Sequence, residues 1–540
     1  MKKILIIIIL GLLIYSYSLF NGFVWDDEEQ IVNNVFVHSV NNIPILFKTS
    51  TFNSGGAGIL SGTYYRPLMM TFFSFVYQIF GPNPFFFHFF QLVFHIATTV
   101  LIYYFLKYFF KKKLSLILAI IFLVHPVNVE AVAYISAIQD IFYVLFGLLA
   151  FYFVIQDKDK FNFKNIFLIN LFLFLSLLSK ETAFLFFILI FLYQFIFRKK
   201  NIFEHIVFFS ITIASYLILR LAVAGVFFTP YHFAPIVQLN FWQRTLMVPN
   251  IFIHYLSVFF YPVKLAVMQH WVLKTISFSG FYVPLIFVTL FLLATITFFL
   301  KITKGENKSS RNIFLFFTSW FFITIFPYLQ LFPLDMTVAD RWFYLPMIGL
   351  LGMIGAMLSF WQGRSPRPES VSDSGVAPFP RMTIYISIII ICLFSMRSFI
   401  RTLDWKNGLT LYSKDNIIVQ DSFDLENNYG VELFRRGNFN DAKIHFEKST
   451  KLAPHWWTNW NNLGAVYERE KNYQKAAKYY QKAIDNGQYY LAYENLAKIL
   501  VAHGKDQNKT KEFLQKALVN FPENQNLQLI NIYFQENNKK

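Results

Sequence analysis

Directly after the first apolar run of the chain stand Trp25-Asp26-Asp27-Glu28-Glu29. Acids crowded at a membrane surface repel one another, which raises the pKa of one member. Such a carboxylate can take a proton from a hydroxyl or ligate a divalent metal; a solvated acidic loop is the plain alternative. Tyr64-Tyr65-Arg66-Pro67 follows in the same loop. Arg66 has the forked guanidinium that grips phosphate, or anchors the chain at an interface beside its tyrosines. Ser179-Lys180-Glu181-Thr182 makes a turn between two apolar runs, where Lys180 and Glu181 either neutralise each other or hold an anion. His125-Pro126-Val127-Asn128-Val129-Glu130 sits between two further runs, with His88, His95 and Asp140 at membrane depth. Ionisable groups there are expensive and face protein or a cavity. The segment from Leu334 to Pro346 places Arg341 among aromatics with Asp335 and Asp340, a pattern suited to an anionic, partly lipidic ligand. The alternative is an aromatic belt with one snorkelling Arg. No zinc spacing, phosphate loop, serine-elbow or nucleotide fingerprint occurs.

The elements that position these residues are membrane helices. The chain has 540 residues, is 56% hydrophobic and 20% aromatic, and only 15% charged. Its mean hydropathy is +0.44. Soluble domains carry about a quarter charged residues. Disorder and a simple soluble enzyme are therefore excluded. The net charge of +17 collects in short basic clusters beside apolar runs, which reads as membrane topology and not as nucleic-acid binding. The single cysteine, Cys392, permits no internal disulfide.

Lys2 and Lys3 start the first run in the cytoplasm. With no small-residue cleavage site after it, the run reads as an uncleaved span. Lys111 to Lys113, Lys158 to Lys164, Arg198 to Lys200, Lys301 to Arg311, and Arg364 to Arg381 then mark cytoplasmic loops. Spans are expected at 4–20, 85–110, 114–128, 131–155, 164–179, 182–198, 203–227, 280–300, 312–331, 343–361 and 383–400, about 11 in all. This count puts residues 21–84 and the C-terminus outside. Residues 241–262 contain Arg244, Pro249, Asn250 and His254 and read as an interfacial or re-entrant helix.

Beyond residue 404 the chain turns polar and repeats with a period of 34. Gly430 and Gly464 match at that offset, as do Ala442 and Ala476, Phe446 and Tyr480, and Ser449, Ala483 and Ala517. This is the tetratricopeptide pattern, and three repeats plus a capping helix are expected. Such arrays form a concave surface that usually holds peptide. The expected organisation is a membrane domain over 1–404 with a cytoplasmic linker at 362–381, a connector at 405–422, and repeats over 423–540. The fold class is all-α.

Taken in order, Trp25-Asp26-Asp27, Tyr65-Arg66-Pro67, Phe87-His88, His95, His125-Pro126 with Glu130-Ala131-Val132, Asp140, Ser179-Lys180-Glu181, and Ala339-Asp340-Arg341-Trp342-Phe343-Tyr344-Leu345-Pro346 resemble the transmembrane and tetratricopeptide-repeat O-mannosyltransferases. The bacterial members are the nearest in kind, and the Phe-, Ile-, Lys- and Asn-rich composition suggests an AT-rich bacterial genome. The resemblance implies a GT-C glycosyltransferase helix bundle. It implies a lipid-phosphate sugar as donor, a site on the outer face of the cell membrane, and a protein hydroxyl as acceptor held by the repeats. Asp26 or Asp27 would be the base, with Asp26 preferred. Arg66, Lys180 and Arg341 would hold the donor phosphate, and His125, Glu130 and Glu181 would line the site. A metal is compatible with the crowded acids, though no spacing demands one. One departure stands out: relatives carry Gly-Arg-x-Asp where this chain reads Ala137-Ile138-Gln139-Asp140. Two other readings remain: a surface-polysaccharide polymerase or ligase, and a non-catalytic scaffold that binds peptides through its repeats.

Overall fold

The computed structural model describes residues 2–52, 63–156, 162–198, 202–227, 233–273, 275–304, 308–361 and 381–537. The expected linker at 362–381 lies almost wholly outside them. Two compact units divide the chain, Met1–Asn407 and Gly408–Lys540. The described residues contain helices and one isolated bridge, Gln269 with Val338.

In the first unit, nine helices among the described residues are long and apolar enough to cross a membrane, or ten if one bent pair is a single span. Each expected span coincides with a helix. The exceptions in length are Lys112–Val124, which joins Pro126–Ala133 in the bent pair, and Phe163–Ser179, a shorter apolar helix. At about 1.5 Å per residue, a 17-residue helix is close to the minimum for crossing. Residues 241–262 form the helix Phe241–Phe260, which holds Pro249 in its interior and is not among the nine.

The bend of 49° has a local cause. Proline lacks the N–H that would continue the ladder, and it disfavours helical backbone at the residue before it. His125 is accordingly extended (φ −71°, ψ 128°), and its ring caps the next turn by accepting from the Val127 N–H. Short helical turns, Pro126–Asn128, Val129–Ala133 and Ile135–Ala137, then run irregularly on, interrupted by extended backbone at Tyr134 and buried throughout. Non-helical backbone at such a position is tolerated only inside protein. This stretch carries Glu130, Tyr134 and Ser136.

The loop after the first helix is not free either. Ile31, Val37 and Leu46 pack with Met69, Phe73 and Val76 of the helix Pro67–Phe80, and with Phe87, Ile138 and Phe142 of two spans. Burying side chains of this size stabilises by roughly 1.5–3 kcal/mol each. That packing presses Asp26 and Asp27 onto the bundle.

The second unit opens with the helix Gly408–Ile418, which occupies most of the expected connector. Three helix pairs follow: Phe423–Arg435 with Phe439–Leu452, Trp457–Arg469 with Tyr473–Asn486, and Tyr490–His503 with Gln507–Asn520, then the cap Gln525–Asn537. The period-34 residues form the seam. A Cβ on Gly430 would stand 2.7 Å from Phe446, and one on Gly464 2.7 Å from Tyr480. Ala442, Ala476, Ser449, Ala483 and Ala517 are fully buried.

Candidate active site

The two acids of the first loop differ in what they touch. Asp27 is fully buried. Its Oδ1 accepts from both the backbone N–H and the Oγ of Ser136, each at 2.7 Å, and its Oδ2 accepts from the Val24 N–H at 3.1 Å. Its carboxylate ties the loop to the irregular stretch after the bend. Asp26 is half-buried. Its Oδ2 accepts from the Tyr134 hydroxyl at 2.7 Å, and its Oδ1 accepts nothing among the described residues. Trp25 separates the pair from the first helix with a left-handed backbone (φ 56°), a conformation most side chains avoid. Its ring stacks on Tyr134 at 5.1 Å, which in turn stacks on Trp405 at 5.7 Å.

Both carboxyls titrate high. Burial pushes Asp26 up to about 6; the Tyr134 hydrogen bond, Arg341 and Arg66 pull it back, while Asp335 adds to the rise. Burial pushes Asp27 up to about 7 against its bonds from Ser136 and Val24, with Asp26 adding repulsion. Desolvation, more than crowding within the run of four acids, is therefore the main cause. Burial and the facing Asp26 hold the Tyr134 phenol well above its ordinary range, so it remains a donor.

Two arginines act on Asp26. Arg341 lies over the rings of Trp25 and Tyr134, 5.5 and 5.8 Å from their centres. Its Nη1 pairs with Glu130 Oε1, and its backbone N–H donates to Glu130 Oε2 at 3.0 Å. Arg66 reaches Glu181 at 3.5 Å and donates to Gln139 Oε1 at 2.7 Å, with its guanidinium 4.3 Å over the Tyr64 ring. Tyr64 in turn donates to Asp335 at 2.8 Å. Lys180 pairs with Asp140 at 2.5 Å, and burial depresses the lysine despite that partner. Arg341 and Arg66 act on Asp26, and Lys180 feels both arginines; each of the three cations is already set against an acid, Glu130, Glu181 and Asp140 respectively.

His125 does not join them. Its Nε2 contacts the Phe259 carbonyl at 2.9 Å while its Nδ1 accepts from Val127, which fixes a neutral tautomer with both nitrogens spent on backbone. The proline bend explains this placement.

Three residues of the site escaped sequence reasoning. Tyr134 and Gln139 carry no charge to mark them. Arg220 does, standing in the apolar run Ile218-Leu219-Arg220-Leu221, and an Arg inside a span is itself a signal. It bridges Glu181 (3.1 Å), the Tyr216 hydroxyl (3.2 Å), and the carbonyls of Thr63 and Val226 (3.2 Å each). Ile138 packs into the apolar cluster under the loop. Among the described residues no group of three His, Cys, Asp or Glu side chains comes together to hold a metal ion.

These features define a multi-pass helical membrane protein whose polar residues gather where loops meet the ends of its helices. Residues 65–225 match the family of dolichyl-phosphate-mannose-protein mannosyltransferases, and residues 457–486 match the tetratricopeptide repeat. Human protein O-mannosyl-transferase TMTC3 is 23% identical over 89% of this chain and 55% of its own length. A Caenorhabditis elegans protein O-mannosyl-transferase is 23% identical over 84% of this chain and 63% of its own. Human protein O-mannosyl-transferase TMTC1 reaches 38% identity over 26% of this chain and 16% of its own. Over most of its length the chain is thus similar to protein O-mannosyl-transferases. It spans little more than half the length of the curated relatives it matches most extensively. Among solved structures, an archaeal oligosaccharyltransferase from Archaeoglobus fulgidus, in complex with an inhibitory peptide and a dolichol-phosphate, aligns over 75% of this chain and 56% of its own with 11% identity and a TM-score of 0.41.

Proposed function

We propose that this chain is a GT-C membrane glycosyltransferase that moves a hexose, mannose by family, from a polyprenyl-phosphate donor to a hydroxyl of a protein acceptor. The site faces the outside of the cell membrane, with the N-terminus in the cytoplasm and the repeats outside. The names of the relatives and of the matching family support donor and acceptor class. The observation that carries the catalytic assignment is the contrast between the two acids. Asp27 spends both oxygens on the fold, whereas Asp26, half-buried, keeps one oxygen uncommitted. Both acids are raised towards the working pH, where a base is efficient, so the uncommitted oxygen decides between them.

In the step proposed, Asp26 Oδ1 takes the proton of the acceptor hydroxyl. The acceptor oxygen bonds to the anomeric carbon as the bond from that carbon to the phosphate oxygen breaks. The electron pair leaves with polyprenyl phosphate, whose charge is met by Arg66, Lys180 and Arg341. A single displacement inverts the anomeric centre. Glu130 and Glu181 act by holding Arg341 and Arg66 in place.

The test is reconstitution. The full chain in lipid nanodiscs receives polyprenyl-phosphate mannose and a Ser/Thr peptide, and the peptide mass is followed. A hexose addition that disappears in Asp26→Asn, with donor binding retained, supports the reading. Unchanged transfer by Asp26→Asn refutes it.

A further inference from the structure

Three aromatic rings stand in a row beside Asp26. Trp405, fully buried, faces Tyr134 at 5.7 Å, and Tyr134 faces Trp25 at 5.1 Å with the two planes 10° apart. Trp25 is half-buried and ends the row. Arg341 does not cap it. Its guanidinium is 5.5 Å from the Trp25 centre and 5.8 Å from the Tyr134 centre, and the two centres are 5.1 Å apart. Those three lengths make a nearly equilateral triangle, so Arg341 stands at the flank of the stack. The far face of Trp25 meets no further ring or cation among the described residues.

The backbone holds that ring in place under strain. The turn from Val24 to Asp27 is closed twice. The Asp27 N–H donates to the Val24 carbonyl, and the Val24 N–H donates to Asp27 Oδ2, each at 3.1 Å. Trp25 sits in this turn with φ 56°, where a side chain crowds its own backbone and Gly or Asn is the usual occupant. A strained residue persists only where its surroundings over-determine it, and such residues cluster at ligand sites. The outcome here is a large flat face immediately before Asp26, backed by two more rings. An aromatic face is electron-rich and attracts weakly positive C–H bonds laid upon it. A hexose ring offers such bonds together on one face, with most of its hydroxyls at the rim. The neighbours favour a sugar over any other apolar group. Arg341, which meets the donor phosphate on the reading above, stands 5.5 Å from the Trp25 centre. The hexose is bonded directly to that phosphate, so a phosphate at Arg341 brings the sugar ring against Trp25 and beside Asp26.

We propose that Trp25 is the plate on which the hexose of the donor lies, a sugar subsite separate from the cations that meet the phosphate. This inference rests on the glycosyltransfer reading and deepens it. The stack fixes the plate before the sugar arrives, so little side-chain freedom is lost on binding. Trp25 binds and orients the sugar; the proton of the acceptor still passes to Asp26.

The test measures binding by the full chain in nanodiscs, without peptide, of two ligands: polyprenyl-phosphate mannose, and polyprenyl phosphate that carries no sugar. Trp25→Gly removes the ring and suits the left-handed backbone, so the turn before Asp26 is kept. It is expected to weaken binding of the mannosyl ligand about tenfold and to leave binding of the bare phosphate as in wild type. Trp25→Phe restores a flat face and should recover most of the loss. Thermal unfolding checks that both variants are folded. A second measurement uses unaltered protein: hydroxyl-radical oxidation of Trp25, read by peptide mass, should fall with the mannosyl ligand and not with the bare phosphate. Equal weakening of both ligands, no weakening of either, or equal oxidation of Trp25 with both ligands each overturns the proposal. Wild type that neither binds the mannosyl ligand nor transfers its sugar ends the glycosyltransfer reading and this inference with it. Wild type that transfers mannose, beside a Trp25→Gly variant that binds the mannosyl ligand as tightly, ends this inference alone.

Discussion

Replacing Tyr134 by Phe removes one hydroxyl and isolates its effect on Asp26. The bond it donates, at 2.7 Å, is the largest influence holding the Asp26 pKa down against burial. A hydrogen bond to a charged acceptor contributes about 1.5–3 kcal/mol, and one pKa unit corresponds to about 1.4 kcal/mol, so the loss raises Asp26 by about one to two units. The starting value is about 6. A base works only when deprotonated, so activity is lost as pH falls through its pKa, and raising the pKa moves that loss to higher pH. At pH 7 the deprotonated fraction falls from about 90% to about 10–50%, and transfer slows about two- to tenfold. By pH 9 the rate should return towards that of wild type. The assay is hexose transfer to peptide at saturating donor from pH 5 to 9. An acid limb that stays in place, or a loss that high pH does not restore, refutes the assignment of Asp26 as base held by Tyr134.

Asp27→Asn puts an amide N–H₂ against a buried donor, either Val24 N–H or Ser136, and should cost about 1–3 kcal/mol, read as a lower Tm in detergent. Asp27 titrates at about 7 in the fold, above its ordinary 3.8. The stability this confers is present below the ordinary value and is lost as pH rises towards 7, so wild-type Tm should decline from pH 5 to 8, and less steeply in Asp27→Asn. Glu130→Ala strands the buried Arg341 and should destabilise by about 3–5 kcal/mol, whereas Glu130→Leu with Arg341→Met should recover most of the Tm but no transfer. Arg220→Lys cannot reach four acceptors at once; it should leave the helices intact by circular dichroism and weaken donor binding about tenfold by releasing Glu181 from beside Arg66.

The helices were legible because hydropathy and length suffice for them. The run from Ile138 to Gln156 needs no partner to be recognised, and neither does the 34-residue recurrence of Gly430 at Gly464. The acids and cations of the site were legible as charges at the ends of apolar runs. Which of them meet was not, because the pairing of Arg341 with Glu130 spans 211 positions and depends on the bend after His125. That same bend turned His125 from an apparent site residue into a backbone cap. Nothing in the neighbours of Asp26 and Asp27 separates the two acids; the difference is made by Ser136 and Tyr134, two residues apart on an irregular stretch that no periodicity marks.

The central claim is that Asp26 serves sugar transfer onto protein. It is tested most directly by the intact masses of exported proteins from cells carrying the wild-type gene, its deletion, or the deletion complemented with Asp26→Asn at matched expression. The account predicts hexose-sized additions in the wild type that vanish in the deletion and do not return with Asp26→Asn. Identical masses in all three strains, or full rescue by Asp26→Asn, would contradict it.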